Sequence, residues 1–228
     1  MHAPSPAHRV IAIDGPAASG KSSVARRLAQ RLGYLYINTG AMYRALTWLV
    51  VESGVEPTDA AAVEALLTGG RLVFGVSEGE NTVGVRDEAG AAAPRLLDDA
   101  ALSHPSVAAA VSAIASISRV RQVLVARQRE YRQEGNLVME GRDIGSVVFP
   151  QTPFKYYIDA SPEVRALRRA RQGHVDNLAA RDARDSSRSD SPLTLPEGAV
   201  RIDTSELGLD AVVGQVAADY ARRCSHEP

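Results

Sequence analysis

Residues 15–22 read Gly15-Pro16-Ala17-Ala18-Ser19-Gly20-Lys21-Ser22, a complete G-x-x-x-x-G-K-[ST] loop, directly after the apolar run Val10-Ile11-Ala12-Ile13. That run is the length of a buried strand. Beyond the loop, Val24, Leu28 and Leu32 recur on one face of a helix predicted over 22–31, and Gly33 supplies the stop. A strand ending in a glycine loop that opens a helix aims consecutive backbone N–H groups at one point. The helix N-terminus adds partial positive charge there. Such a cradle suits the phosphates of a nucleoside triphosphate: Lys21 reaches the β- and γ-phosphates, and the Ser22 hydroxyl ligates Mg²⁺. Residues Gly15 through Ser23 form the predicted ATP-binding set. An ordinary glycine-rich turn shares some of these letters but lacks the ordered strand, loop and helix.

Outward from the loop, Tyr34-Leu35-Tyr36-Ile37 predicts a second strand, and Thr39 is a suitable N-cap for a helix over about 41–52. Thr58 caps a short helix through Leu67. After Gly69-Gly70 the texture changes: 71–76 and 82–86 are strand-like runs around the turn-rich Ser77-Glu78-Gly79-Glu80-Asn81, which predicts an antiparallel hairpin. Residues 91–101 show no clear period. Two helical stretches follow from Ser106 to about Gln133, broken near 116–118. Leu137-Val138-Met139, Phe154–Ile158 and Val200-Arg201-Ile202 predict three more strands, with helices from the Ser161-Pro162-Glu163 cap and over 209–223. Alternating strands and helices imply a mainly parallel three-layer sheet. Ligands of such sheets sit at the carboxyl ends of the strands, where the loop, Thr39, Arg142 and Asp143 all fall.

Composition narrows the class. The chain has 228 residues, 45% hydrophobic and 23% charged, as in an ordinary globular protein, and a formal net charge of −1. That balance gives no pull towards nucleic acid or an anionic membrane. One cysteine, Cys224, excludes an intrachain disulfide and suits a reducing cytoplasm. No uninterrupted apolar run reaches membrane-spanning length, and the residues before the first strand are too few and too polar for a signal peptide.

The arginines point to a second, anionic substrate. Phosphoryl transfer is catalysed mainly by positioning and by neutralising charge. A second anionic substrate needs bidentate clamps of its own, which Arg provides better than Lys. Arg44 lies one turn inside the helix after Thr39, and Arg142 ends the third core strand. Arg165, Arg168, Arg169 and Arg171 crowd one helix, which is either a solvated face or a source of one or two arginines that close over the transferring group.

The stretches IAIDGPAASGKSSVA (11–25), GYLYINTGAMYRA (33–45), VMEGRDIGSVVFP (138–150), YIDASPEVRALRR (157–169), RDARDSSRSDSPL (181–193) and IDTSEL (202–207) resemble the bacterial cytidylate (CMP/dCMP) kinase family, and the likeness runs along essentially the whole chain. It implies an α/β P-loop NTPase fold with a five-stranded mainly parallel sheet, an inserted NMP-binding lobe carrying the antiparallel strands, and a short lid. The implied boundaries are core 1–38, 134–166 and 190–228, lobe about 39–133, and lid about 167–189, within one kinase domain. The resemblance further implies that Thr39, Tyr43 and Arg44 begin the CMP-binding lobe, with Arg44 and Arg142 on the acceptor phosphate. Ser112, Arg121 and Asp143 would read cytosine, and Arg181, Asp185 and Arg188 would hold the sugar and base side. Catalytic arginines would be Arg142, Arg168, Arg169 and Arg181, beside Lys21. Mg²⁺ with ATP, a monomeric state and no nucleic-acid or membrane partner complete the expectation.

Base chemistry agrees with that assignment. Cytosine presents its N4 donor to a carboxylate and its N3 and O2 acceptors to Arg and Ser, whereas uracil would turn O4 against Asp143. Such a mismatch costs on the order of 1–3 kcal/mol in a dry site. One departure stands out: between Arg169 and Arg181 the chain is about ten residues shorter than the family pattern, which predicts lid closure that is faster or less complete. His174 in that segment reads as a surface residue, since transfer between phosphates needs no strong base. Glu140 would order Arg142 or a metal-bound water, and Asp14 either helps the loop or ends the strand. The competing readings are a kinase for another anionic acceptor, UMP or shikimate, and a nucleotide-binding switch. The latter calls for an [NT]-K-x-D guanine reader, and neither Lys21 nor Lys155, the only lysines, stands in that setting.

Overall fold

A computed structural model describes residues 8–87, 92–171, 178–187 and 190–225, with the side chains of 178–181 left out. In chain order the elements are β1 (Val10–Asp14), α1 (Lys21–Leu32), β2 (Leu35–Asn38), α2 (Thr39–Glu52) and α3 (Ala60–Thr68). Then come β3 (Leu72–Ser77), β4 (Glu80–Val85), β5 (Arg95–Leu96), α4 (Asp99–Ser103), α5 (Pro105–Ile114) and α6 (Ser118–Glu130). The last part holds β6 (Leu137–Gly141), a π turn (Ile144–Val148), β7 (Phe154–Asp159), α7 (Pro162–Arg171), α8 (Leu178–Ser186), β8 (Val200–Asp203) and α9 (Leu209–Cys224). Two compact units result, one of Met1–Ile37 with Arg129–Pro228, the other Asn38–Gln128.

The first unit carries the strands in the order β2–β6–β1–β7–β8, with β1 parallel to both β6 and β7, and β7 parallel to β8. This is the five-stranded, mainly parallel sheet that the alternating pattern predicts. Its interior is set by strand alternation: Ile11 and Ile13 of β1 and Phe154, Tyr156 and Ile158 of β7 enter the core. Val24 and Leu28 of α1 and Val212, Val216 and Tyr220 of α9 join the same cluster. The Tyr220 ring meets Phe154 edge-on at 4.7 Å between centroids, and its hydroxyl hydrogen-bonds that of Tyr34 at 2.7 Å. The neighbours of β1 come from later in the chain on both sides, so its carboxyl end lies at a switch point of the topology, where α/β sheets hold ligands.

The second unit is α2 packed against α3, α4 and α5 beside an antiparallel hairpin, in which Phe74 of β3 faces Val83 of β4. The hairpin falls where the turn-rich segment predicts it. Some boundaries move. Asn38, not Thr39, caps α2, because its side chain accepts from Ala41 N at 3.2 Å while Thr39 is already helical. Asp59, not Thr58, caps α3, accepting from Ala62 N at 3.0 Å. The unassigned stretch near 91–101 contains the two-residue β5 and the start of α4, itself capped by Asp98. Nothing in the local sequence predicts the π turn over Ile144–Val148. Among the described residues no single helix is long and apolar enough to cross a membrane.

Candidate active site

The phosphate loop joins β1 to α1 through two glycines for different reasons. Gly20 caps α1 in a left-handed conformation (φ 93°) that a side chain rarely adopts. Gly15 is required by packing: a Cβ there would lie 2.0 Å from the Ile158 carbonyl oxygen of β7. Between them Ala18 also has positive φ, 60°. Ser22 and Ser23 are exposed on the first turn of α1, whereas Ser19 is fully buried.

Four loop carbonyls accept hydrogen bonds from cationic side chains. Arg142 Nη1 donates to Gly15 O at 2.5 Å, and Lys21 Nζ to Pro16 O at 3.3 Å. Arg165 Nη1 donates to Ala17 O at 3.2 Å, and Arg168 Nη1 to Ser19 O at 3.1 Å. Positive charge is thereby gathered around a segment built for anions. Lys21 also lies 3.9 Å from Glu140 at the end of β6, and both are largely buried. The Tyr36 hydroxyl donates to the other Glu140 oxygen at 3.2 Å. Glu140 thus faces Lys21, a partner the sequence reading did not foresee.

Asp14, the last residue of β1, is fully buried and accepts from Ile144 N and Gly145 N of the π turn, each at 2.8 Å. Burial pushes its carboxyl up to about 7; Asp143 adds to the rise, while the two N–H donors and Lys21 oppose it. These bonds place the backbone that follows Arg142 and Asp143. Arg142 itself donates through Nε to Asp185 Oδ2 of α8 at 2.8 Å, so two predicted site residues meet directly. Asp143 and Asp185 are both buried. Arg165 also pairs with Asp182 of α8, and Arg169 is half-buried on α7. Arg181 lies on α8 with its side chain undescribed; Arg188 and His174 lie outside the described residues.

The second unit holds the other predicted residues. Thr39, Tyr43 and Arg44 lie on α2, with Thr39 and Tyr43 buried. The helix start is fixed from β4: Asn81 accepts from Asn38 N at 2.8 Å and donates to Asn38 O at 3.3 Å. Ser112 sits on α5. Arg121 of α6 is 4% exposed, stacks over the Tyr43 ring at 5.5 Å and donates to Ala115 O at 3.2 Å. A guanidinium so deeply placed on an aromatic face is pre-organised for planar recognition.

The cytidylate kinase family profile matches residues 11–222. The chain belongs to the cytidylate kinase family. It is 42% identical over 228 residues to the cytidylate kinase of Nocardia farcinica (strain IFM 10152), with 95% of each chain covered. The cytidylate kinase of Streptococcus pneumoniae (strain 70585) is 40% identical over 229 residues, covering 93% of this chain and 97% of that one. A bifunctional pantoate ligase/cytidylate kinase of Synechococcus elongatus (strain ATCC 33912 / PCC 7942 / FACHB-805) is 42% identical over 94% of this chain, which spans only 42% of that relative's length. A gluconokinase structure from Sinorhizobium meliloti 1021 superposes with a TM-score of 0.50 at 16% identity, covering 95% of this chain and 93% of that one, and so shares the fold.

For a member of this family the donor set is chemically suited to a hard divalent cation. Ser22 and Glu140 offer oxygen ligands, and Mg²⁺ is ordinarily held by one or two protein oxygens together with substrate phosphates. Among the described residues no cluster of three or more His, Cys, Asp or Glu is placed to hold a metal by itself. Thr204 at the end of β8 is the residue the motif reading missed. It is buried among the loop, β7 and α7, and its only sequence signal is its place in the 202–207 stretch.

Proposed function

We propose that this chain is a cytidylate kinase that transfers the γ-phosphoryl group of ATP to CMP and dCMP, giving ADP and CDP or dCDP. The observation that carries this reading is Arg142, which bonds the phosphate loop at Gly15 O and the acceptor-side Asp185 at once. One side chain thereby links the donor loop to the residues that the family resemblance assigns to the nucleoside.

In this mechanism the loop amides and Lys21 hold the β- and γ-phosphates, and Arg44 and Arg142 hold the CMP phosphate in line. An oxygen of CMP attacks the γ-phosphorus, the bond to the β,γ-bridging oxygen breaks, and ADP leaves with that electron pair. No strong base is needed, because the nucleophile is already anionic. Bound Mg²⁺, held through Ser22 and with Glu140 nearby, would supply charge neutralisation across the phosphates. Asp143, Ser112 and Arg121 read the cytosine edge, with Arg121 held in place over the Tyr43 ring. Asp185, Arg181 and Arg188 hold the sugar side. Arg168 and Arg169, with Arg165, supply the positive charge of α7, and residues about 167–189 act as a short lid. The enzyme is further proposed to work as a cytoplasmic monomer.

The test is ADP release in a coupled assay with CMP, dCMP, UMP, AMP and shikimate offered separately. Strong stimulation by CMP and dCMP, weak by UMP and none by the others is expected. ATP binding without any acceptor dependence would overturn the kinase reading in favour of a switch.

A further inference from the structure

Thr204 joins four parts of the nucleotide-holding unit. Its hydroxyl lies 2.8 Å from Ser19 O in the phosphate loop and 3.0 Å from Asp159 O at the end of β7. It accepts from Arg168 Nη1 of α7 at 2.9 Å, while Arg168 Nη2 donates to Thr204 O at 2.7 Å. The Thr204 N–H donates to Asp159 O at 2.8 Å. The residue is 3% exposed.

These bonds bear on one peptide. Ser19 Oγ is buried with no hydrogen-bond partner among the described residues, so its own side chain does not orient the peptide that follows. The Ser19 carbonyl is instead held from outside, by the Thr204 hydroxyl and Arg168. A trans peptide carries its C=O and N–H on opposite sides. Fixing Ser19 O therefore fixes the direction of the Gly20 N–H, at the helix N-terminus where phosphate binds. Arg168 and Thr204 are also the nearest groups beside Gly20: a Cβ there would be in ordinary contact with Arg168 Nη1 at 3.6 Å and Thr204 Oγ1 at 4.0 Å.

We infer that Thr204 is a positioning residue for ATP: its hydroxyl sets the Ser19–Gly20 peptide directly and through Arg168, and acts on the donor site without acting on the acceptor site. The inference rests on the kinase reading for its substrate. Arg168 on this view braces the loop from behind.

The experiment compares wild type, Thr204→Val and Thr204→Ser in the full-length protein. Calorimetric titration with Mg²⁺-ATP alone is followed by KM for ATP and for CMP. The valine variant keeps shape and loses the hydroxyl, and is expected to weaken ATP binding and raise its KM about tenfold. KM for CMP stays within twofold, and Thr204→Ser restores wild-type values. Should the valine variant not fold, Thr204→Ala removes the hydroxyl without added bulk and is read identically. Unchanged ATP binding without the hydroxyl would overturn the inference, as would a serine variant as impaired as the valine one. The titration needs no acceptor, so failure of the kinase reading, seen as no CMP-dependent turnover in wild type, is distinguishable from failure of this one.

Discussion

Two helices hold the phosphate loop, and they are attached by different physics. Helix α1 continues from the loop and buries Val24, Ala25, Leu28 and Ala29 in the sheet core. Helix α7 buries no residue at all and leaves Leu167 54% exposed. What ties α7 down is polar: Arg165 on Ala17 O and Asp182, Arg168 on Ser19 O and Thr204. Apolar burial in a close-packed core admits one arrangement. A guanidinium on a carbonyl loses little by exchanging that oxygen for a phosphate oxygen, which is the stronger acceptor. Within one unit, α1 is thus the fixed wall of the loop and α7 the exchangeable one at Arg165, while Arg168 stays on Ser19 O and Thr204 as the brace behind the loop.

The largest expected effect breaks the fixed wall. Leu28→Ala removes a fully buried side chain from α1 and is expected to lower stability by about 3 kcal/mol in urea unfolding. The folded fraction should keep its KM values. A loss below about 1 kcal/mol would show that α1 is not held by its core contacts.

A second measurement concerns the charge buried beside α1. Asp14 titrates near 7 when folded and near 4 when unfolded, so the folded state binds the proton more tightly across that range. Its contribution to stability is full below pH 4 and falls as pH rises to 7, by up to about 1.4 kcal/mol per unit. Asp14→Asn, whatever its absolute offset, should flatten the dependence of unfolding free energy on pH between 4.5 and 7 relative to wild type. Asp143 and Lys21 face Asp14 and remain in both proteins, so the difference isolates the one carboxyl. Parallel curves would place its titration outside this window.

The smallest effect falls on the exchangeable wall. Arg165→Met removes the bonds to Ala17 O and Asp182, yet global stability should change by only about 1 kcal/mol, because local opening of α8 lets Asp182 reach water. Hydrogen exchange of the α8 amides should quicken while that of α1 stays unchanged. A loss as large as that of Leu28→Ala would erase the contrast between the helices.

The same contrast explains what the sequence revealed. Strand β1, the loop and α1 were legible because period, glycines and lysine all report locally on one element. The five-strand parallel sheet followed from alternation, and the hairpin of β3 and β4 from its turn residues. Caps slipped by one residue at α2 and α3, since Asn38 and Asp59 stand beside equally plausible threonines. The π turn was invisible: it exists because Asp14, 130 residues earlier, accepts its two amides. The resemblance singles out Arg168, with Arg169, among the four arginines of its helix, but nothing local tells that it bonds Thr204, 36 residues away, rather than solvent. Tyr43 under Arg121 was predicted residue by residue, but not as a stacked pair.

Gly15 changes how a mutational scan of this loop should be read. Its missing Cβ makes room for the Ile158 carbonyl, so alanine there would push apart β1 and β7 before any nucleotide arrived. A scan scored only by turnover would count position 15 among the phosphate contacts, when its intolerance measures the spacing between two strands. Scoring the same library for soluble, folded protein would separate the positions that the fold demands, Gly15 among them, from those that only the ligand demands.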